Sequence, residues 1–335
     1  MERLISILPE PWRPLSQRLD VWLGILLSCL IGINTTLVWR LSQNNDEIAI
    51  QTLSWVVVGL LVWRKRHQIK FASSQSALIT GTVCLSWVFL KSATVSRYED
   101  VLFILTPLLS LVGVVLITSG FQGLKLFWGE LLLAGTLGVP VPFVSEAIER
   151  VIPINTLTAK FANMLLWYGG LPVQQEGIFI AIKGGVGVMV GRGCAGLPPI
   201  FLLLRITLMF VLVFPEMWRS LKLLLSVATL VGFVSNSLRV TMLVLLASNQ
   251  KAFDYWHNGE GSQWFAVLMV FIFLFFCNWL LGWTEKQAGL EPLEASAADY
   301  QDYDELAMET MELDPDPAVV TNPSRNPSYE EQDID

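Results

Sequence analysis

A thiol, a guanidinium and an imidazole stand out in this chain because so little around them is polar. Cys194 lies in Gly191-Arg192-Gly193-Cys194-Ala195-Gly196, the one polar, glycine-rich setting among the four cysteines; Cys29, Cys84 and Cys277 sit in apolar runs. A thiolate is a nucleophile, and a turn that leads into a helix start lowers a thiol pKa and offers free N–H groups to an oxyanion. The competing reading is a small buried thiol in a turn, since free Cys usually behaves as a small hydrophobe. Arg239 sits in Ser235-Asn236-Ser237-Leu238-Arg239-Val240, inside an apolar run. An arginine there costs about 2.5–3.5 kcal/mol on insertion scales and usually faces a cavity or a polar partner. Snorkelling to the interface is the alternative. Asn236 is three residues earlier and shares its helical face. His257, in Tyr255-Trp256-His257-Asn258-Gly259, is one of only two histidines. Its imidazole titrates near neutral pH and suits general acid–base work; a lone His beside Tyr and Trp also suits a plain interface anchor. His67 falls in a basic loop and reads as solvated. Arg205 and Glu130 are further charges inside apolar runs, at depths that do not match as a pair. The chain has no CxxC, no HExxH and no GxSG, so neither a metal nor another cofactor is expected.

The elements that must position these residues are dictated by composition. Of the 335 residues 53% are hydrophobic and 15% charged, against about 25% charged in a soluble domain. This excludes a soluble enzyme, a disordered chain and a collagen-like fibre. Residues 284–335 carry 15 acidic side chains against Lys286 and Arg325, so the net charge of −7 belongs to a tail and the remainder is mildly basic. Rich in proline and poor in aromatic residues, that tail cannot bury enough surface to fold alone.

A spanning helix needs about 20 mostly apolar residues. Eight runs are candidates, the second and third of them short, at roughly 21–39, 48–63, 76–90, 101–119, 126–143, 197–214, 223–247 and 263–283. The expected class is an all-α integral membrane protein of about eight transmembrane helices. Its parts would be a cytoplasmic segment 1–20, a polytopic domain 21–283 and an acidic cytoplasmic tail 284–335. Basic loops stay in the cytoplasm, and the densest cluster is Arg64, Lys65, Arg66 and Lys70. Setting it inside puts both termini, Lys125, Arg219 and Lys222 inside by alternation. Segments 41–47, 144–196 and 248–262 then lie outside, as does 91–100, against the grain of Lys91 and Arg97.

The outer segment 144–196 divides in two. Val144 to Lys160 has Ile148, Val151, Ile152 and Leu157 at spacings that predict an amphipathic interfacial helix. Ile178, Phe179, Ile180 and Ile182 before Gly184-Gly185, with Val186, Val188 and Val190 after, predict a β-hairpin. Cys194 thus falls on a turn between a strand and a helix opened by Pro198-Pro199. Arg239 is about 12 Å below the outer end of its helix at 1.5 Å per residue. Cys194, Arg239 and His257 are placed on one side of the membrane, on consecutive spans, which tend to be neighbours. A lone outer thiol has no partner here for an internal disulfide.

At these residues the chain resembles the exosortase/archaeosortase family, and most nearly its cyanobacterial exosortases. The Gly193-Cys194-Ala195-Gly196 turn, Asn236-Ser237-Leu238-Arg239 and the His257 loop carry the resemblance, over about residues 100–283. Many members have Ser after the Cys and a polar or basic residue beyond the next Gly. Here Ala195 and Leu197-Pro198-Pro199 stand there, which removes polar groups that could touch a substrate and leaves the cysteine in place. The resemblance implies a multi-spanning cysteine transpeptidase of the cytoplasmic membrane. It would cleave C-terminal sorting signals (a Pro-Glu-Pro-type motif, an apolar helix and a basic end) on exported proteins at the outer, periplasmic face. It implies Cys194 as nucleophile, His257 as general acid or base, and Arg239 as stabiliser of the oxyanion or of the substrate's acidic motif. Asn236 and Arg205 are candidate substrate contacts. The implied partners are the lipid bilayer, sorting-signal proteins and an acceptor nucleophile the sequence does not name; no nucleic acid is expected.

Two other readings fit the residues. Arg205, Arg239 and Glu130 could line the solute path of a transporter or channel, although no internal repeat is evident. A structural or assembly subunit with the acidic tail as its binding site is the other.

Overall fold

The computed structural model describes residues 19–287 apart from 43–44, 70–72, 98–99, 192–193, 195 and 258. The N-terminal segment to residue 18, the acidic tail from 288, the His67 side chain, Arg192, Gly193, Ala195 and Asn258 therefore lie outside the described part of the chain. The helices are α1 (Leu19–Ser42), α2 (Asn45–Lys65), α3 (Gln75–Thr94), the single turn α4 (Val101–Ile104), α5 (Thr106–Leu126), α6 (Trp128–Leu137), α7 (Val141–Val151) and α8 (Ile154–Tyr168). After a small sheet come α9 (Leu197–Val213), α10 (Leu221–Leu246), α11 (Gln250–His257) and α12 (Glu260–Gln287). The chain divides into two compact units, 1–277 and 278–335; of the second, only the last turns of α12 are described.

Among the described residues, six helices have the length and apolarity to cross a membrane: Gly24–Ser42, Glu47–Lys65, Gln75–Thr94, Thr106–Leu126, Pro215–Leu246 and Glu260–Thr284. The protein is therefore a mostly helical, multi-pass membrane protein, with six or seven candidate spans among the described residues where about eight are expected. Where a fifth span is expected over 126–143, α6 stops at Leu137 and α7 leaves it at 82°. Gly138 closes α6, and the next residues include Pro140 and Pro142, which cannot donate backbone hydrogen bonds to continue it. Counting that bent pair as one span gives seven. The expected sixth span is α9, which reaches only seventeen residues because Pro198 opens it and Pro215 stands just past its end. The fourth shifts to Thr106–Leu126, with Pro107 in its first turn.

Segment 144–160 is not one amphipathic helix. Pro153 caps a new helix and splits it into α7 and α8. The expected hairpin is present and larger. Strands β1 (Val173–Glu176), β2 (Phe179–Ile182) and β3 (Gly187–Met189) form an antiparallel meander in the order β1-β2-β3. Ile180 pairs with Val188 and Phe179 with Met189. Between β2 and β3, Gly184 has φ +79°, a conformation that favours glycine. Ile180 and Val188 point into the core while Phe179 and Met189 are exposed, the alternation a half-buried strand requires.

Basic side chains tie helix ends together. Arg64 Nη1 donates to the Val213 carbonyl at the end of α9 (2.8 Å), and Lys65 Nζ donates to the Leu126 carbonyl at the end of α5 (2.8 Å). Unpaired C-terminal carbonyls favour such cations. The start of the basic cluster therefore lies at the opposite end of α9 from Cys194. Lys91, which counts against the assigned orientation of 91–100, is bridged to Asp100 at 2.5 Å, so its charge is offset locally.

Candidate functional site

The sheet, α8 and α10 share one apolar core, and Cys194 is part of it. Ile180, Val188 and Val190 pack with Ala159, Ala162 and Leu166 of α8 and with Val240, Leu243 and Val244 of α10. The small Ala159 and Ala162 let the Cys194 turn come close to α8. Phe253 and Trp256 of α11 pack against the same cluster. The element carrying His257 is thereby docked beside the one carrying Cys194.

The backbone of the turn is held at three points. Cys194 N–H donates to the Gly191 carbonyl at 2.9 Å. The Asn236 Nδ2 amide of α10 donates to the Cys194 carbonyl at 3.0 Å. Gly196 N–H donates to Asn155 Oδ1 of α8 at 3.4 Å. Asn155 is fixed in turn, because the Glu149 carboxylate accepts its backbone N–H at 3.0 and 3.1 Å. One level further into the bundle, α9 lies almost on the backbone of α10. A Cβ on Gly232 would come within 3.0 Å of Ile200 Cα, so only glycine permits this approach.

Arg239 lies one turn from Asn236 on α10. Its Nη2 donates to the His257 carbonyl at 2.7 Å. The arginine thus meets the backbone of the histidine, whose ring stacks on Phe253 at 5.1 Å and 16°. Arg239 Nε is buried and has no hydrogen-bond partner among the described residues. Burial pushes the Cys194 thiol above its ordinary pKa, and the positive charge of Arg239 pulls it back down. An opposite charge favours a thiolate, whereas an apolar surrounding disfavours it. At rest the buried thiol holds its proton, and a base must remove it.

The structure thus brings Cys194, Asn236, Arg239 and the His257 backbone together. Arg205 and Glu130 have partners of their own. Arg205 Nη1 reaches Glu47 Oε2 at 3.4 Å. Glu130 is fully buried against Lys65 Nζ, 2.8 and 2.9 Å from its two carboxylate oxygens. Among the described residues, no three His, Cys, Asp or Glu side chains gather as metal ligands. Sequence reasoning missed Asn155 and Glu149. Glu149 lies inside α7, four residues before the Pro153 N-cap, so the usual capping signal does not point to it.

The fold and this site define a class: a multi-pass helical membrane protein with a buried thiol at a strand-to-helix turn, under the charge of an intramembrane arginine. The chain belongs to the transmembrane exosortase family (Exosortase_EpsH), whose model matches residues 39–274 and so takes in every residue of the site. Membership suggests a membrane protease that processes sorting signals. No curated protein and no solved structure gives a significant match.

Proposed function

We propose that the protein is a cysteine transpeptidase that cleaves C-terminal sorting signals of the Pro-Glu-Pro type. It acts on exported proteins at the outer face of the cytoplasmic membrane. The observation that carries this reading is the Cys194 turn. It is pinned through its carbonyl by Asn236 and lies under the charge of Arg239, at the end of α9 away from Arg64 and Lys65. By the positive-inside argument that end faces out. The similarity of the turn to cyanobacterial members belongs to the same reading.

Cys194 gives its proton to the His257 imidazole, and the thiolate attacks the scissile carbonyl carbon. The carbonyl π electrons move onto oxygen, and Arg239 stabilises the oxyanion or anchors the substrate's acidic motif. The C–N bond breaks, its amine takes the proton from the imidazolium, and a thioester remains on Cys194. The acceptor's amine or hydroxyl then attacks the thioester carbonyl and gives its proton to the His257 imidazole, the C–S bond breaks, and the imidazolium returns that proton to the Cys194 thiolate. Asn236 holds the nucleophile's backbone. Arg205 is left out of the mechanism because its guanidinium is on Glu47. The solute-path reading weakens for the same reason, since Arg205 and Arg239 each serve a separate partner.

The test is the gel mobility of a C-terminally tagged sorting substrate in cells carrying each variant. Cys194→Ala, Cys194→Ser and Arg239→Ala abolish processing and Cys277→Ala does not. Unchanged cleavage with Cys194→Ala overturns the mechanism.

A further inference from the structure

One face of α8 is turned to the Cys194 turn, and its middle residue has no evident structural task. Asn155 holds the Gly196 N–H, and Ala159 and Ala162 pack in the cluster that contains Cys194. Between them is Thr158, fully buried, with a hydroxyl that has no hydrogen-bond partner among the described residues. This is unusual for the protein. Thr52, Thr82, Thr207 and Thr241 each donate to the carbonyl four residues earlier in their own helices, at 2.8 Å. Thr158 makes no such bond to Ile154 and lies against Gly196 instead. A Cβ on Gly196 would be 2.9 Å from Thr158 Oγ1 and 3.7 Å from Asn236 Nδ2. The hydroxyl therefore flanks the same short turn that Asn236 holds by the Cys194 carbonyl.

A buried hydroxyl with an unmade hydrogen bond destabilises a fold. Valine has nearly the same shape and would fill the position without that cost. A second unmade donor, Arg239 Nε, belongs to the side chain whose charge reaches Cys194. One unmade donor beside Gly196 and one on the arginine whose charge reaches Cys194 are what a site needs if an oxygen arrives only with the substrate.

We propose that the Thr158 hydroxyl donates a hydrogen bond to the scissile carbonyl oxygen of the substrate bound at Cys194. This rests on the reading of Cys194 as the nucleophile. No proton is transferred: as the carbonyl π electrons move onto oxygen, the O–H group stays intact and its hydrogen bond to that oxygen strengthens. When the C–N bond breaks and the carbonyl re-forms, the contact relaxes.

The experiment compares Thr158→Val, Thr158→Ser and Cys194→Ala in the purified full-length protein in nanodiscs. It measures processing of a peptide that carries the sorting motif and its apolar helix, together with thermal unfolding. Thr158→Val lowers kcat by about 10²–10³-fold, the loss typical of one oxyanion donor. KM stays within about twofold, and the melting temperature is equal or higher because the unmade hydrogen bond is gone. Thr158→Ser keeps the hydroxyl and most of the kcat. A kcat for Thr158→Val within threefold of the wild type overturns the proposal, and so does an equal loss in Val and Ser. If Val does not fold, Thr158→Cys, a weak donor of similar size, gives the same readout. Processing by Cys194→Ala means the nucleophile reading has failed; an inactive Cys194→Ala beside an active Thr158→Val means only the Thr158 assignment has.

Discussion

Asn236→Ala separates two roles for one amide, support of the turn and contact with substrate. Asn236 and Cys194 are both buried, and the 3.0 Å bond joins residues 42 apart in sequence. No local structure replaces it. Truncation removes one hydrogen bond and strands the buried Cys194 carbonyl, at a cost of about 1–3 kcal/mol. If that cost falls on the turn alone, the ratio of native to displaced turn drops by about 5–140-fold, at 1.4 kcal/mol per decade, and kcat falls as the native population does while KM holds. Asn236→Asp is worse than Ala, because at neutral pH an ionised carboxylate sets an acceptor against the carbonyl acceptor. The order of activity is therefore wild type, then Ala, then Asp. Thermal unfolding in detergent gives the stability term, and steady-state processing of a sorting-signal peptide gives kcat and KM. The reasoning is refuted if Asp matches the wild type. It is also refuted if Ala raises KM with kcat unchanged, which would make the amide a substrate contact.

Two further predictions concern charge. Alkylation of Cys194 by a small reagent should keep accelerating above pH 8.5, where an ordinary thiol levels off, because burial raises its pKa; Arg239→Ala removes the opposing charge and slows alkylation at any fixed pH. By the same linkage, this thiol favours the folded state below the ordinary thiol pKa, and the benefit is lost as pH rises from there through the raised pKa of the folded state. A plateau at or below pH 8.5 contradicts this. At the other end of the bundle, Lys65→Ala strands the buried Glu130 carboxylate and should destabilise by about 3–5 kcal/mol. Glu130→Gln should cost less, as measured by denaturant unfolding; equal losses would mean that packing rather than charge dominates there.

The long apolar runs make most spans legible, since lipid leaves the backbone little choice but helix. The strand pattern around Gly184-Gly185 is equally plain. Other features depend on distant partners. Glu47 reads as part of a polar loop, yet it lies within α2, which begins at Asn45, so the partner of Arg205 is hidden from the sequence. Asn155 and Thr158 sit in a segment whose spacing predicts one amphipathic helix, and their contacts with Gly196 cross about forty residues. Hydropathy averages also pass over single prolines, so they show neither the break after Gly138 nor the shortness of α9. The residues of the proposed site are easier to find, because each is a polar exception in an apolar chain.

The seventeen residues of α9 would have a consequence for an acyl group held on Cys194 by the proposed mechanism. At 1.5 Å per residue the helix is about 25 Å long, about 5 Å less than the hydrocarbon core of a bilayer. If α9 crosses, as the proposed outward placement of Cys194 requires, the lipid around it would have to thin or its ends to sink below the headgroups. Cys194 precedes the first turn of α9, so on the proposed orientation its thiol would lie where water activity falls steeply with depth. A thioester formed there meets little water, and hydrolysis is slowed relative to attack by an amine or hydroxyl delivered by a bound acceptor. Hydrophobic mismatch at one helix would then set the partition between release and transfer, and membranes of different thickness should shift that ratio.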